Sequence, residues 1–128
     1  MTTQNNIINK TEVETKINPY ISMMLGKTSG NYELATTIFN KLFLELKEQS
    51  QLIEEALTNK NLALAEQITH KLHGSVSFCG FTDIQEIAKA MEISLAEKNH
   101  QLIPSNFQQL KNKIFDFISL KEDILNQL

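Results

Sequence analysis

Arginine is absent from this chain. All 12 of its cationic side chains are lysine, so the bidentate grip that a guanidinium gives phosphate or carboxylate is unavailable. There is one cysteine, Cys79, which forbids an internal disulfide and fits a buried thiol in a reducing compartment. Only 4 glycines and 2 prolines occur in 128 residues. With a hydrophobic content of 41%, that scarcity favours one compact helical domain over a β-rich or disordered chain. The net charge is −3, which argues against a nucleic-acid surface. No apolar run approaches the roughly 20 residues of a membrane span, and residues Met1 to Lys10 lack a signal-peptide core. The expectation is a cytoplasmic protein without direct membrane contact.

What is present is helical periodicity. Residues 1–15 read as a polar lead or linker, and residues 16–128 as the folded unit. Asn18-Pro19 suits a helix start, with Gly26 closing a short helix. A long helix is expected from Tyr32 to Leu57, with Leu34, Ile38, Phe39, Leu42, Phe43, Leu46, Ile53, Ala56 and Leu57 forming its apolar face. Asn61 suits the cap of a helix that ends near Gly80. Thr82 and Gln85 have the spacing of a capping box for the next helix, whose core face is Ile84, Ile87, Ala88, Met91 and Leu95. The helix should end near Lys98. Asn99 to Pro104 reads as a loop, with Ser105 capping a last helix that could run to Leu125. Short connections between long helices imply antiparallel neighbours. The fold expected is all-α: an up-and-down four-helix bundle with a short additional N-terminal helix.

The third of these helices carries the unusual chemistry. Its apolar stripe is Ala65, Ile68, Leu72, Val76 and Cys79. At about 100° per residue, His70 points about 160° away from that stripe and should be exposed. Around it lie Ala63, Gln67, Gly74 and Ser77, all but Gln67 small. A mid-helix glycine costs about 1 kcal/mol relative to alanine, and no turn is needed at Gly74. A smooth patch around an exposed imidazole suggests that something comes close to it, docking on those four residues.

The run His70-Lys71-Leu72-His73-Gly74-Ser75 resembles the H-x-[LI]-[KH]-G-[SA] signature of histidine phosphotransfer (HPt) domains. Its continuation, Val76 to Gly80, is similar to the C-terminal HPt domain of BarA-type hybrid sensor kinases. Leu25-Gly26 with Tyr32, Leu34 and Phe39, Asn59 to Asn61, and Ile84, Ile87, Met91 and Glu92 extend the resemblance over about Ile17 to Ala96. It implies that His70 accepts a phosphoryl group from the aspartate of a receiver domain in a hybrid sensor kinase and passes it to a response regulator. His73 stands where most members carry a lysine that helps hold the phosphoryl group. Pairing residues about the Gly80-Phe81 turn places Glu92 opposite His70, where it could orient the imidazole; the family often has Glu or Gln there. The resemblance implies no cofactor of the domain's own, with Mg2+ expected in the partner receiver. The chain is too short for an ATP-binding domain beside the bundle, so no autonomous kinase activity is expected, and a single bundle of this size can be a monomer.

Two rival readings stay open at this level. Glu66, His70 and His73 have helical spacings that could converge on zinc, although Glu66 points to the other side of the stripe from Gly74. A purely structural adaptor could use the same smooth face. Gly26-Lys27-Thr28 mimics the end of a phosphate-binding loop but lacks the earlier glycine, and His100 reads as a solvated loop residue.

Overall fold

The computed structural model describes residues 17–128; the polar lead expected over residues 1–15 lies outside the described residues. Six helices and no strands are found among them: α1 (Pro19–Lys27), α2 (Tyr32–Thr58), α3 (Leu62–Cys79), α4 (Thr82–Ala96), α5 (Leu102–Ser119) and α6 (Lys121–Gln127). Helices α2 to α5 form the antiparallel bundle. Each packs on the next, and α5 closes the ring against α2. Helix α1 lies across α2 and α3. The short α6 adds a C-terminal turn whose Ile124 is fully buried, and Gln127 accepts a hydrogen bond from the Asn18 backbone at 3.1 Å.

The helix starts follow side-chain chemistry where a polar cap is free to act. Asn18, Asn31 and Asn61 each accept a backbone N–H of the first turn, from Tyr20, Leu34 and Leu64, satisfying donors that the helix cannot. Elsewhere packing wins. Thr82 and Gln85 do not form a capping box. Thr82 is already the first residue of α4, the residue before it is the fully buried Phe81, and no side chain caps that end. The anchoring ring, not a hydroxyl, fixes where α4 begins. Ser105 is likewise not a cap. Helix α5 starts three residues earlier at Leu102, whose N–H donates to the Asn99 side chain at 3.2 Å. Pro104 sits in the first turn, where its missing N–H has no intrahelical partner to lose. At the other end, α5 stops at Ser119 and the chain resumes as α6.

Gly26 does not close α1. The helix runs on to Lys27, and the reversal comes from Ser29 and Gly30, whose φ angles are 54° and 77°. The Gly30 N–H bonds back to the Leu25 carbonyl at 2.9 Å. Gly26-Lys27-Thr28 therefore lies at a helix C-terminus, where carbonyls point outward and repel phosphate.

The buried face of α2 is Ala35, Phe39, Leu42, Phe43, Leu46, Ser50, Ile53 and Ala56. Leu34, expected on that face, is 46% exposed; it sits about 100° around the helix from Ala35, beyond the edge of the contact. The densest part of the core is aromatic. The Phe117 ring lies 4.9 Å from Tyr20, 4.9 Å from Phe43 and 5.4 Å from Phe81, centre to centre. Tyr20 donates its hydroxyl to Asp83, which also pairs with Lys113 at 3.4 Å. Burial and the Asp83 carboxylate push the Tyr20 phenol well above its ordinary pKa, so it stays a neutral donor joining α1 to α4.

Candidate functional site

The site is built on the α3–α4 hairpin. Gly80 adopts φ 75° and ψ 20°, a left-handed conformation that costs glycine little. The Phe81 N–H then bonds the Val76 carbonyl at 3.0 Å, and the buried Phe81 side chain locks the turn. Two residues suffice to reverse the chain, so the register of α4 against α3 is set from the turn outward. That register brings Glu92 alongside His70.

His70 is exposed, with 78% of its side chain open to solvent. Its Nδ1 lies 2.9 Å from Glu92 Oε2. The second imidazole, His73, is only 22% exposed, and its Nδ1 lies 3.2 Å from Glu92 Oε1. One carboxylate thus joins both rings. An ionised carboxylate only accepts hydrogen bonds, so each ring nitrogen facing it carries the proton. In the neutral His70 ring the lone pair is then on Nε2, the nitrogen not engaged by Glu92.

Partial burial works to raise the Glu92 pKa, but the hydrogen bonds and charge of His70 and His73 outweigh it, and the carboxyl sits below its ordinary value. A lowered native pKa gives stability that is fully present above the unfolded value of about 4.3 and is lost as pH falls through the native value. The urea midpoint of wild type should therefore exceed that of Glu92→Gln at about pH 5, where the carboxylate is ionised, and the margin should shrink on acidification below about pH 4. A margin that keeps growing below about pH 4 would contradict the ion pairing.

Ala63, Gln67 and Gly74 are exposed around His70 and Ser77 is half-buried. A Cβ at Gly74 would meet nothing within 4 Å, so no internal contact requires glycine there. Lys71 is exposed. Glu66 forms no hydrogen bond or ion pair with either imidazole, and among the described residues no three His, Cys, Asp or Glu side chains are grouped to hold a metal ion. The zinc reading thus lacks the convergence it needs. His100 lies exposed in the α4–α5 connection. Cys79 is buried, and burial, aided by Glu45 and opposed by Lys27, pushes its thiol up to about 11; it is a protonated core side chain.

Two features of this face were not evident from periodicity. Phe78 is 65% exposed and lines, with Ile38, Lys41, Lys71 and Gly74, a groove between α2 and α3 beside the histidine. Its position one turn beyond Gly74 was the available signal. Glu45 of α2 accepts a hydrogen bond from Ser75 at 3.3 Å across the same groove.

Comparison with known proteins bears on this geometry. The family model described as Hpt domain matches residues 38–118, well over half of the chain, including all of the α3–α4 hairpin. No curated protein matches the sequence. Among solved structures, the crystal structure of the HPT domain from the Hpt sensor hybrid histidine kinase from Shewanella superposes with a TM-score of 0.74 at 24% identity, covering 84% of this chain and 93% of that one. At that identity the likeness is one of fold. None of the described helices is long and apolar enough to cross a membrane.

Proposed function

Because the chain belongs to the Hpt domain family, the histidine phosphotransfer domains of two-component signalling, we propose that His70 is its phosphoryl acceptor. The donor is the phosphoaspartate of a receiver domain in a hybrid sensor kinase, and the onward acceptor is a response regulator. The observation that carries this reading is the His70–Glu92 pair: an imidazole 78% open to solvent whose Nδ1 is held at 2.9 Å by a carboxylate.

The chemistry follows from that pair. The Nε2 lone pair attacks phosphorus, an N–P bond forms, and the P–O bond to the donor aspartate breaks with its electrons returning to that carboxylate. The ring gains positive charge while its proton stays on Nδ1, where Glu92 accepts the N–H hydrogen bond and stabilises the cation. The nucleophile and its orientation come from this domain. The Mg2+ ion and the lysine that neutralise the phosphoryl oxygens come from the receiver, so the domain needs neither a cofactor nor a nucleotide site of its own. Such a relay places the domain in the cytoplasm, as a monomer or as a module of a membrane-anchored kinase.

Ala63, Gln67, Gly74 and Ser77 form the surface on which the receiver closes. Gly74→Ala is the sharpest check of that surface. Its Cβ has free space, so the substitution should stabilise the helix by about 1 kcal/mol, read from the urea midpoint. It should at the same time slow transfer from a receiver, because the methyl group stands beside His70. Unchanged transfer would remove Gly74 from the docking face.

The test of the function itself is incubation with a radiolabelled, phosphorylated receiver domain. A label on this protein that is acid-labile and base-stable supports the proposal. A protein that takes no label from any receiver, yet keeps its fold, would leave the adaptor reading in its place.

A further inference from the structure

His73 shares the Glu92 carboxylate with the exposed His70. It lies one helical turn from His70, it is largely buried, and it spends its Nδ1 on the same carboxylate. We infer that His73 is a positioning residue acting through Glu92: it holds the carboxylate that holds His70, rather than touching the phosphoryl group. This deepens the phosphotransfer reading and rests on it.

The geometry supports that division of labour. His70 Nδ1 lies 2.9 Å from Glu92 Oε2 and 3.3 Å from Oε1, and His73 Nδ1 lies 3.2 Å from Oε1. The His73 and Glu92 side chains are similarly enclosed, at 22% and 21% exposure, whereas His70 is at 78%. A glutamate held only by an exposed, freely turning ring can move with that ring about several bonds. Holding Oε1 from a second, better packed ring fixes the plane of the carboxylate and so the direction in which it accepts from His70. His70 has no other hydrogen-bond partner among the described residues to orient it. The order of constraint runs from the packed ring to the carboxylate to the open ring.

The donor that faces Glu92 need only be an N–H. A neutral imidazole supplies one, so the role requires no cation at position 73. During transfer, the Nε2–P bond forms and the donor's P–O bond breaks as described above. His73 exchanges no proton in that step. Its contribution is to keep Glu92 where the growing charge on the His70 ring needs it.

This role differs from electrostatic holding of the phosphoryl group in what substitutions do. The side-chain nitrogen of asparagine stands as many bonds from the backbone as His73 Nδ1, and it donates without titrating. Leucine fills similar space and donates nothing. The experiment is rapid-quench transfer from a radiolabelled receiver domain to wild type, His73→Leu, His73→Asn and His73→Lys, each with Glu92 intact and with Glu92→Ala. The 15N shifts of the His70 ring are recorded alongside in the absence of any donor. With Glu92 intact, His73→Leu should slow transfer about tenfold, the rate equivalent of one well-made hydrogen bond, and His73→Asn should recover most of that loss. In the Glu92→Ala background, His73→Leu should slow transfer no further, as expected for residues acting in series. The His70 ring should show its proton on Nδ1 in wild type and a mixture of tautomers in His73→Leu.

An equal loss from His73→Leu in both backgrounds would overturn the inference. So would recovery by His73→Lys without recovery by His73→Asn, which would assign His73 to the phosphoryl group. Failure of this inference is separable from failure of the function. Labelled wild type with an unaffected His73→Leu removes only the positioning role. If wild type takes no label, the function falls, and the 15N shifts still decide whether His73 orients His70 through Glu92.

Discussion

His70→Gln should lose all acid-labile label from a phosphorylated receiver while unfolding at the same urea concentration as wild type. The two halves of this expectation have separate causes. Glutamine has no ring nitrogen, and its amide nitrogen has a delocalised lone pair that does not attack phosphorus, so the N–P bond cannot form. The fold is indifferent because the side chain is 78% exposed and its hydrogen-bond partner is Glu92, which a glutamine amide can still meet. Exposed substitutions away from the core shift stability by no more than about 0.5 kcal/mol. His73→Gln should remain labelled, since the transfer site stays in place. A label kept by His70→Gln but lost by His73→Gln would move the acceptor to position 73, against the exposures of the two rings. A His70→Gln protein as active as wild type would show that the imidazole is not the nucleophile.

The position of His70 was legible in the sequence because the information is local. One periodic stripe from Ala65 to Cys79 fixes which way every side chain of α3 points, and a two-residue turn at Gly80-Phe81 carries that register into α4. Glu92 could therefore be placed opposite His70 by counting from the turn. The same count does not give the contact between Glu92 and His73. That depends on the length of the glutamate, which lets one carboxylate reach two rings a turn apart. Helix α4 starts at Thr82 as its pattern suggests, but its cap was misread, because a Thr82–Gln85 spacing looks like a capping box whether or not it is used. The burial of Phe81, decided by α1, α2 and α5, is a tertiary fact that overrides it. The partnership of Tyr20 with Asp83 spans 63 residues of sequence, and no periodicity connects them. Burial of Ser50 and exposure of Leu34 have the same origin: a stripe read from residue type is accurate to its centre, whereas its edges are set by the neighbouring helix.

Phe117→Ala should be among the most damaging single substitutions, lowering stability by about 4 kcal/mol. The ring is fully buried. It is packed by Tyr20 from α1, Phe39 and Phe43 from α2, and Phe81 at the head of α4. Truncation removes its transfer free energy and leaves a cavity whose walls are rings held from three other elements, which leaves little room to collapse. Edge-on and stacked contacts to the neighbouring rings, each of about 0.5–1.5 kcal/mol beyond burial, are lost at the same time. A domain of this size has only about 5–15 kcal/mol in hand, so the shift in urea midpoint should be large, with the denaturant slope unchanged. Phe115→Ala is the control. It lies on the same helix but is 70% exposed, and it should cost no more than about 0.5 kcal/mol. The functional consequence is indirect and can be separated from unfolding. Phe81 both contacts Phe117 and locks the turn that sets Glu92 against His70. At urea-free, low-temperature conditions where Phe117→Ala remains folded, transfer to His70 should therefore be slowed modestly rather than abolished. A loss below about 1.5 kcal/mol, the range of a well-tolerated core change, would mean that the aromatic cluster repacks around the gap and does not fix the hairpin's register.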